Sequence, residues 1–146
     1  MNIEVKIDED YAEPKILIYS NKVDEKLSNI IDNISNISQE KLKAYKDEKM
    51  YILNQNEIEA IYAEKGKVYL RCNSEVYIVK NRLYELENIL NQKIFVRISN
   101  SEIVNFDKVR NLDFKIIGTI VLNFKSGNKA YVSRRYITKI KNFLEI

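Results

Sequence analysis

Short apolar runs separated by polar turn residues fill most of the sequence after residue 41. Runs of this length, bounded by Asn, Ser, Gly and charged residues, are typical of the strands of a β-rich domain. The pattern predicts strands over 42–45, 50–53, 58–63, 68–72, 76–79, 94–98, 108–114, 119–124 and 129–132. Apolar residues at helical spacing predict two helices, over 82–90 and 134–145. Residues 41–146 are therefore expected to form one mainly β domain with short helices.

The first 40 residues follow a different pattern. Ile3, Val5 and Ile7 alternate with charged residues, which predicts a half-buried strand over 2–8, and 15–20 is a second candidate strand. Apolar side chains at helical spacing predict an amphipathic helix over 23–37, and the polar residues 35–40 would serve as a linker. This N-terminal ββα unit needs a partner to cover its apolar faces, either the rest of the chain or a second copy.

Several residue types that enzymes depend on are rare or absent. The chain has no histidine, three glycines and one cysteine, which removes imidazole chemistry, glycine-rich phosphate loops and cysteine metal clusters. Asp8, Glu9 and Asp10 lie together, but near Pro14 they are best explained as a solvated acidic turn. We therefore expect no enzyme activity, no metal, no cofactor and no small-molecule substrate.

Cellular location is also constrained by what the sequence lacks. Cys72 is the single cysteine, so the chain cannot form an internal disulfide. No apolar run is long enough for a membrane helix, and the N-terminus does not resemble a secretion signal. These features predict a reduced cytoplasmic protein.

Charge is distributed unevenly along the chain. Residues 93–146 hold 11 Lys and Arg against 4 Asp and Glu, a net charge of +7, whereas residues 1–92 hold 13 against 17, a net charge of −4. A basic terminal segment favours contact with nucleic acid, because neutralising phosphates supplies much of the binding free energy. The alternative is that the basic end is only a solvated face.

Two stretches carry a more specific pattern: FVRISNSEIVNFDKV (95–109) and GTIVLNFKSGNKAYVSRRYITKIKNFL (118–144). An arginine-bearing strand, a polar turn and a Ser-x-Ile-Val-Asn segment precede a glycine hairpin that ends in Val-Ser-Arg-Arg-Tyr. In this pattern the chain resembles the LytTR family of DNA-binding domains, over roughly residues 42–146. The matching positions are Arg97, Ser101, Ile103, Val104, Asn105, Gly127, Val132, Ser133, Arg134, Arg135 and Tyr136.

The resemblance implies a fold, a function and a set of contacts. The implied fold is an elongated, multi-sheet β domain whose loops, rather than a recognition helix, enter successive major grooves of double-stranded DNA. Matched position by position, the family's base contacts fall on Lys67, Asn100 and Arg135. The candidates for phosphate contacts are Lys65, Ser99, Ser101, Arg134, Lys139 and Lys141.

Each candidate also has a purely structural interpretation. Lys67 beside Gly66 is typical of a hairpin tip, Asn100 could cap its own turn, and Arg135 could pair with a carboxylate or stack on Tyr136. Asn105 is predicted to be structural, holding the chain where a strand becomes a loop. Arg97 alternates with buried positions, and its role stays open between structure and binding.

The N-terminal segment distinguishes this chain from the commonest members of the family. Forty residues are too few for a phospho-acceptor receiver domain, so the chain is similar to the small stand-alone LytTR regulators. We predict that the extension mediates homodimerisation, and the resemblance implies a membrane protein that restrains the regulator. The leading alternative is a protein-interaction or ligand-sensing module without base-specific DNA binding; a carboxylate-based hydrolase is a third.

Overall fold

The computed structural model describes residues 1–12, 14–37, 41–115 and 117–146, and these form two compact units, Met1–Asn33 and Ile34–Ile146. The predicted domain boundary at residue 40 and the end of the predicted linker, residues 38–40, lie outside the described residues. No described helix is both long enough and apolar enough to cross a lipid bilayer.

Helix α1, Glu25–Ile37, confirms the helix predicted for the N-terminal segment. It begins two residues later than predicted because Asp24 caps it: the Leu27 amide donates to the Asp24 carboxylate at 2.8 Å. The Glu25 carboxylate lies in the first turn, where it interacts favourably with the helix dipole.

The prediction of strands over 2–8 and 15–20 is wrong for the single chain, since neither segment forms a strand. Their apolar side chains face solvent, with Val5 80% and Ile7 92% exposed. A pair of strands is marginal in water unless a further strand or helix covers its apolar face. The alternating sequence is therefore compatible with strands, but the described part of unit Met1–Asn33 supplies no cover for them.

Seven antiparallel strands form the larger sheet of the second unit, in the order β2-β1-β5-β4-β3-β7-β6. Their bounds are β1 Lys41–Lys46, β2 Lys49–Asn54, β3 Ile58–Glu64, β4 Lys67–Cys72, β5 Glu75–Val79, β6 Phe95–Ser99 and β7 Glu102–Asn105. Six of these strands match predicted runs, and β7 corresponds to the Ser-x-Ile-Val-Asn segment, which the apolar pattern alone did not mark as a strand.

Three of the hairpins in this sheet have two-residue turns in which both residues adopt positive φ. The turns are Asp47 and Glu48, Lys65 and Gly66, and Asn73 and Ser74. This left-handed conformation matches the right-handed twist of the flanking strands and fixes their register. The polar residues between the apolar runs thus determine which strands become neighbours.

A three-stranded meander forms the smaller sheet, as predicted: β8 Val109–Asp113, β9 Ile120–Phe124 and β10 Lys129–Val132. Helix α2 is Leu83–Ile89 and helix α3 is Ile137–Leu144, and 3-10 turns cover Gln55–Glu57, Phe106–Lys108 and Arg134–Tyr136. The expected mainly β fold with short helices is confirmed.

Strand β3 is buried on both faces. Ile58 and Ile61 belong to a core formed with helix α2, whereas Ala60 belongs to a second core formed with the smaller sheet and helix α3. Because successive side chains of a strand point to opposite faces, a strand between two cores reads as a continuous apolar run. Residues 60–63 (Ala-Ile-Tyr-Ala) are such a run, whereas Glu59 before them is charged and is held by polar partners. A register shift between Ile58 and Ala60 lets Ile58 share one core with Ile61, although the two residues are three positions apart.

Asn105 is fully buried at the end of β7, and its side chain has the structural role predicted for it. Its amide nitrogen donates to the Ile58 carbonyl at 2.8 Å, and its Oδ1 accepts from the Asp107 amide at 2.9 Å. One side chain thereby ties the start of β3 to the turn that leads into the smaller sheet.

Glu59 links the two sheets through a partly buried polar cluster. Its carboxylate accepts from Arg71 Nε at 2.9 Å, from Asn128 Nδ2 at 2.9 Å and from the Ser126 hydroxyl. Burial raises the pKa of Glu59, but the hydrogen bonds from Ser126, Asn128 and Arg71 outweigh burial and leave the pKa below its usual value. The ionised carboxylate therefore stabilises the contact between β3 and the β9–β10 turn.

Replacing Asn105 with alanine should lower the free energy of unfolding by about 1–3 kcal/mol, because the buried Ile58 carbonyl and Asp107 amide lose their partner. Chemical denaturation monitored by circular dichroism measures the change. The matched control is Asn111→Ala, which removes an exposed asparagine pair with Asn123 and should cost less than about 0.5 kcal/mol. Equal effects of the two substitutions would contradict the structural role of Asn105.

Glu59→Gln should destabilise the protein near pH 7, and the difference from the unsubstituted chain should shrink as the pH falls. A carboxyl whose folded-state pKa is depressed stabilises above its unfolded pKa, and this stability is lost as the pH falls through the folded pKa. Denaturation curves at a series of pH values measure this. Glu64→Gln, the same substitution at an exposed position of β3, is the control and should change the free energy of unfolding by less than about 0.5 kcal/mol at pH 7. A pH-independent effect of Glu59→Gln would argue against the ionised link.

Candidate nucleic-acid interface

The β3–β4 and β6–β7 turns lie at the same end of the seven-stranded sheet. Strands β3 and β7 are antiparallel neighbours with Tyr62 opposite Glu102, and the Ala63 amide donates to the Ser101 carbonyl at 2.8 Å. The β3–β4 turn follows Glu64 directly, and the β6–β7 turn precedes Glu102. The sheet register therefore sets the two turns side by side.

The segment Arg134–Tyr136 joins this end of the sheet. The Ser133 amide donates to the Ile98 carbonyl of β6 at 2.9 Å, and the Tyr136 hydroxyl donates to Asn100 Oδ1 at 3.0 Å. We call the surface formed by residues 64–67, 99–101 and 134–136 the loop end. It holds all three residues that the sequence marked as candidate base contacts, Lys67, Asn100 and Arg135.

Lys67 is the first residue of β4 and is exposed at its hairpin tip. Lys65 and Gly66 both adopt positive φ in the turn before it, and Lys67 pairs with Glu64 across the hairpin. The described residues place no hydrogen bond or ion pair on its ammonium group. Lys65 and Lys67 therefore present two unneutralised cations from one short turn.

Asn100 is exposed, but its turn is held firmly by neighbouring groups. The Arg97 guanidinium donates to the Ser99 carbonyl at 3.0 Å and also to the Asn100 carbonyl, and it forms an ion pair with Glu87 of helix α2. Arg97 therefore has a structural part in this site, since it fixes the backbone of the loop from the protein side.

The two arginines of the Ser-Arg-Arg segment have different surroundings. A Cβ atom on Gly118, which has φ +84°, would come within 2.9 Å of Arg134 Nε, so the Arg134 side chain packs closely over this glycine. The described residues show no hydrogen bond, ion pair or ring contact for the Arg135 guanidinium, which is exposed. Within the part of the chain that the structure describes, Arg135 has neither of its predicted structural alternatives, a carboxylate partner or stacking on Tyr136.

The remaining candidates for phosphate contacts are distributed around the loop end and helix α3. Ser99 and Ser101 share a hydrogen bond of 3.3 Å between their hydroxyls. The Lys139 ammonium lies 3.6 Å from the Glu87 carboxylate and is partly neutralised, whereas Lys141 is exposed without a described partner. Lys65 and Lys141, like the base-contact candidate Lys67, have no described anionic partner for their ammonium groups.

Two residues of the site escaped sequence reasoning, Glu87 and the hydroxyl of Tyr136. Glu87 lies in helix α2, ten residues before its partner Arg97, and Tyr136 lies 36 residues after Asn100. In the sequence, Tyr136 stood out only as a match to the family and as a residue on which Arg135 could stack. The ion pair of Glu87 with Arg97 could not be predicted from the sequence, because the two residues meet only when α2 packs against β6.

Comparison with known proteins gives the chain a family. The family described as "LytTr DNA-binding domain" matches residues 48–145. Uncharacterised HTH-type transcriptional regulators of Staphylococcus aureus strains NCTC 8325 and COL are each 31% identical to this chain over 147 residues, covering 100% of this chain and 99% of the relative.

A solved structure shows the same fold. The LytTr DNA-binding domain of a methyl-accepting/DNA response regulator from Bacillus cereus superposes with a TM-score of 0.71 at 20% sequence identity. The match covers 73% of this chain and 98% of that domain. Together with the match over residues 48–145, it leads to one conclusion: the chain belongs to the LytTR family of DNA-binding domains.

Proposed function

We propose that this chain regulates transcription by binding specific sequences of double-stranded DNA through its loop end. The observation that carries the proposal is the convergence of three short elements, each bearing an exposed donor, at one end of the sheet. Family membership and relatives named as transcriptional regulators support the same function. A cytoplasmic location, where such a protein meets DNA, is part of the proposal.

The donors at the loop end suit the edges of base pairs in the major groove. Lysine and arginine can donate to guanine O6 and N7, and asparagine can pair with adenine N6 and N7 through its amide. We assign Lys67, Asn100 and Arg135 to base contacts. Phosphate contacts, which position a protein without reading sequence, are assigned to Lys65, Ser99, Ser101, Arg134, Lys139 and Lys141.

Loops suit this role better than the helices do. The three described helices are separated by strands along the chain, so no two follow each other across a short turn. Helix α3 also buries Ile140 in the core beneath the smaller sheet. We therefore propose that the turns at the loop end enter successive major grooves.

We also propose that the N-terminal extension, residues 1–40, mediates homodimerisation, so that two copies read paired repeats. Within Met1–Asn33 the alternating apolar side chains are unburied, including Ile3 at 79% exposed, Val5 at 80% and Ile7 at 92%. A second copy could supply the neighbouring strands that these segments need to form a sheet. A membrane protein that restrains the regulator stays a prediction of the family resemblance.

Arg135→Ala should weaken binding to the preferred duplex by about 1–3 kcal/mol and relax sequence preference at one position. Gel-shift titrations on sites selected from a random duplex pool measure both quantities. The control is Arg110→Ala, which removes an exposed arginine from strand β8 and should keep the preference intact.

Binding by the unsubstituted chain should also fall steeply as salt rises, because phosphate contacts release counterions. A chain that shows no sequence preference at any salt concentration would support the alternative, an interaction or sensing module. An Arg135→Ala variant with unchanged affinity and preference would refute the assignment of Arg135 alone.

Introducing charge into the alternating apolar row should weaken self-association. Val5→Asp combined with Ile7→Asp should lower the sedimentation-equilibrium mass toward that of a monomer, because buried unpaired carboxylates would be costly in a dimer interface. Lys6→Asp, between the two substituted positions, is the control and should have a smaller effect. A chain that remains dimeric after residues 1–38 are deleted would contradict the proposed role of this segment.

A further inference from the structure

The hydrogen bond from Tyr136 fixes the orientation of the Asn100 side-chain amide in the β6–β7 turn. The Tyr136 hydroxyl donates to Asn100 Oδ1 at 3.0 Å, so the amide oxygen already has a partner from the protein. The amide nitrogen, Nδ2, has no described partner. Asn100 as a whole is exposed, so both hydrogens of Nδ2 are available to a ligand, whereas Tyr136 occupies one of the two lone pairs of Oδ1.

Both ends of this contact are held in place. The Asn100 backbone carbonyl accepts from Arg97, which Glu87 anchors in turn. The half-buried Tyr136 ring packs against the core beneath the smaller sheet, and the Lys139 ammonium lies 5.9 Å from the ring centroid. The hydroxyl therefore meets a turn whose backbone position is already fixed, which makes the orientation of the amide part of the folded structure.

On this basis, and resting on the proposed DNA-binding function, we propose that Tyr136 is a specificity-determining residue that makes Asn100 present a hydrogen-bond donor to DNA. In the major groove guanine presents two acceptors, O6 and N7, whereas cytosine presents only the N4 donor. A donor-presenting Asn100 selects a base with acceptors, guanine foremost, and rejects cytosine on the contacted strand. Tyr136 acts through Asn100 and need not touch the base.

The first test uses Tyr136→Phe, which removes one oxygen and keeps the ring that packs in the core. The measurement is the relative affinity for duplexes that differ only at the position whose preference Asn100→Ala abolishes. The preference at that position should fall about fivefold, the equivalent of one hydrogen bond, because the amide can then turn either group to the DNA. The preference lost in Arg135→Ala should be retained.

The matched control is Tyr131→Phe, which removes the same hydroxyl from an exposed tyrosine on β10 and should leave all preferences unchanged. A double-substitution cycle adds a second criterion. Tyr136→Phe should have no further effect on preference in an Asn100→Ala background, because its influence passes through that amide.

The second test uses Asn100→Asp, which keeps the side-chain size and replaces the free donor with an acceptor. Its preference at the same position should shift from guanine toward cytosine, whose N4 group can donate to the carboxylate. Because residue 100 is exposed, this variant does not depend on core packing and tests the proposal even if Tyr136→Phe fails to fold.

The outcomes separate the two proposals. A chain that shows no sequence preference overturns the proposed function, and the role of Tyr136 falls with it. A chain with a clear preference at the Asn100 position that Tyr136→Phe leaves untouched overturns the role of Tyr136 alone. Retention of the guanine preference by Asn100→Asp overturns it equally.

Discussion

The antiparallel pairing of β3 with β7 is the contact on which the rest of the second unit depends. Strand β3 lies between two cores, so its side chains anchor helix α2 on one face and the smaller sheet on the other. The Asn105 amide and the Glu59 carboxylate both act from this strand pair. The same register places the β3–β4 and β6–β7 turns side by side. The β3–β7 pairing therefore determines both the packing of the core and the spacing of the turns at the loop end.

Much of this fold could be predicted from the sequence, because its strands are short apolar runs and its turns are strongly polar. Strand β7 escaped the apolar pattern, since four residues beginning with Glu102 carry too little alternation. The strands over 2–8 and 15–20 were predicted from alternation and are absent. Alternation shows that a segment can present an apolar face, but a strand also needs a neighbour for its backbone. In the second unit tight turns supply that neighbour.

The candidate site also has a part that the sequence predicts and a part that it does not. Lys67, Asn100 and Arg135 could be chosen by resemblance, because the family motif fixes their positions along the chain. The contacts that hold the site could not be predicted, because Glu87, Arg97 and Tyr136 come from three separate elements. Arg97 and Tyr136 matched the family pattern, but the pattern did not give their partners. The preferences of short segments cannot predict the hydrogen bond between Tyr136 and Asn100, which are 36 positions apart. Only packing of α2 and the Arg134–Tyr136 turn against β6 brings these groups together.

The way the loop end is held bears on how loops can read DNA at all. A flexible loop loses conformational entropy when it binds, and that loss weakens affinity. A flexible loop can also adjust to different sequences, which lowers specificity. Here the backbone carbonyls of Ser99 and Asn100 are bound by Arg97, and the Asn100 side chain is bound by Tyr136. Arg135 lies within the 3-10 turn Arg134–Tyr136, which follows the bond from the Ser133 amide to β6, and its exposed guanidinium has no described partner. A recognition helix is effective because it is ordered before it binds. A loop with a fixed backbone and one free donor group is ordered before binding in the same way.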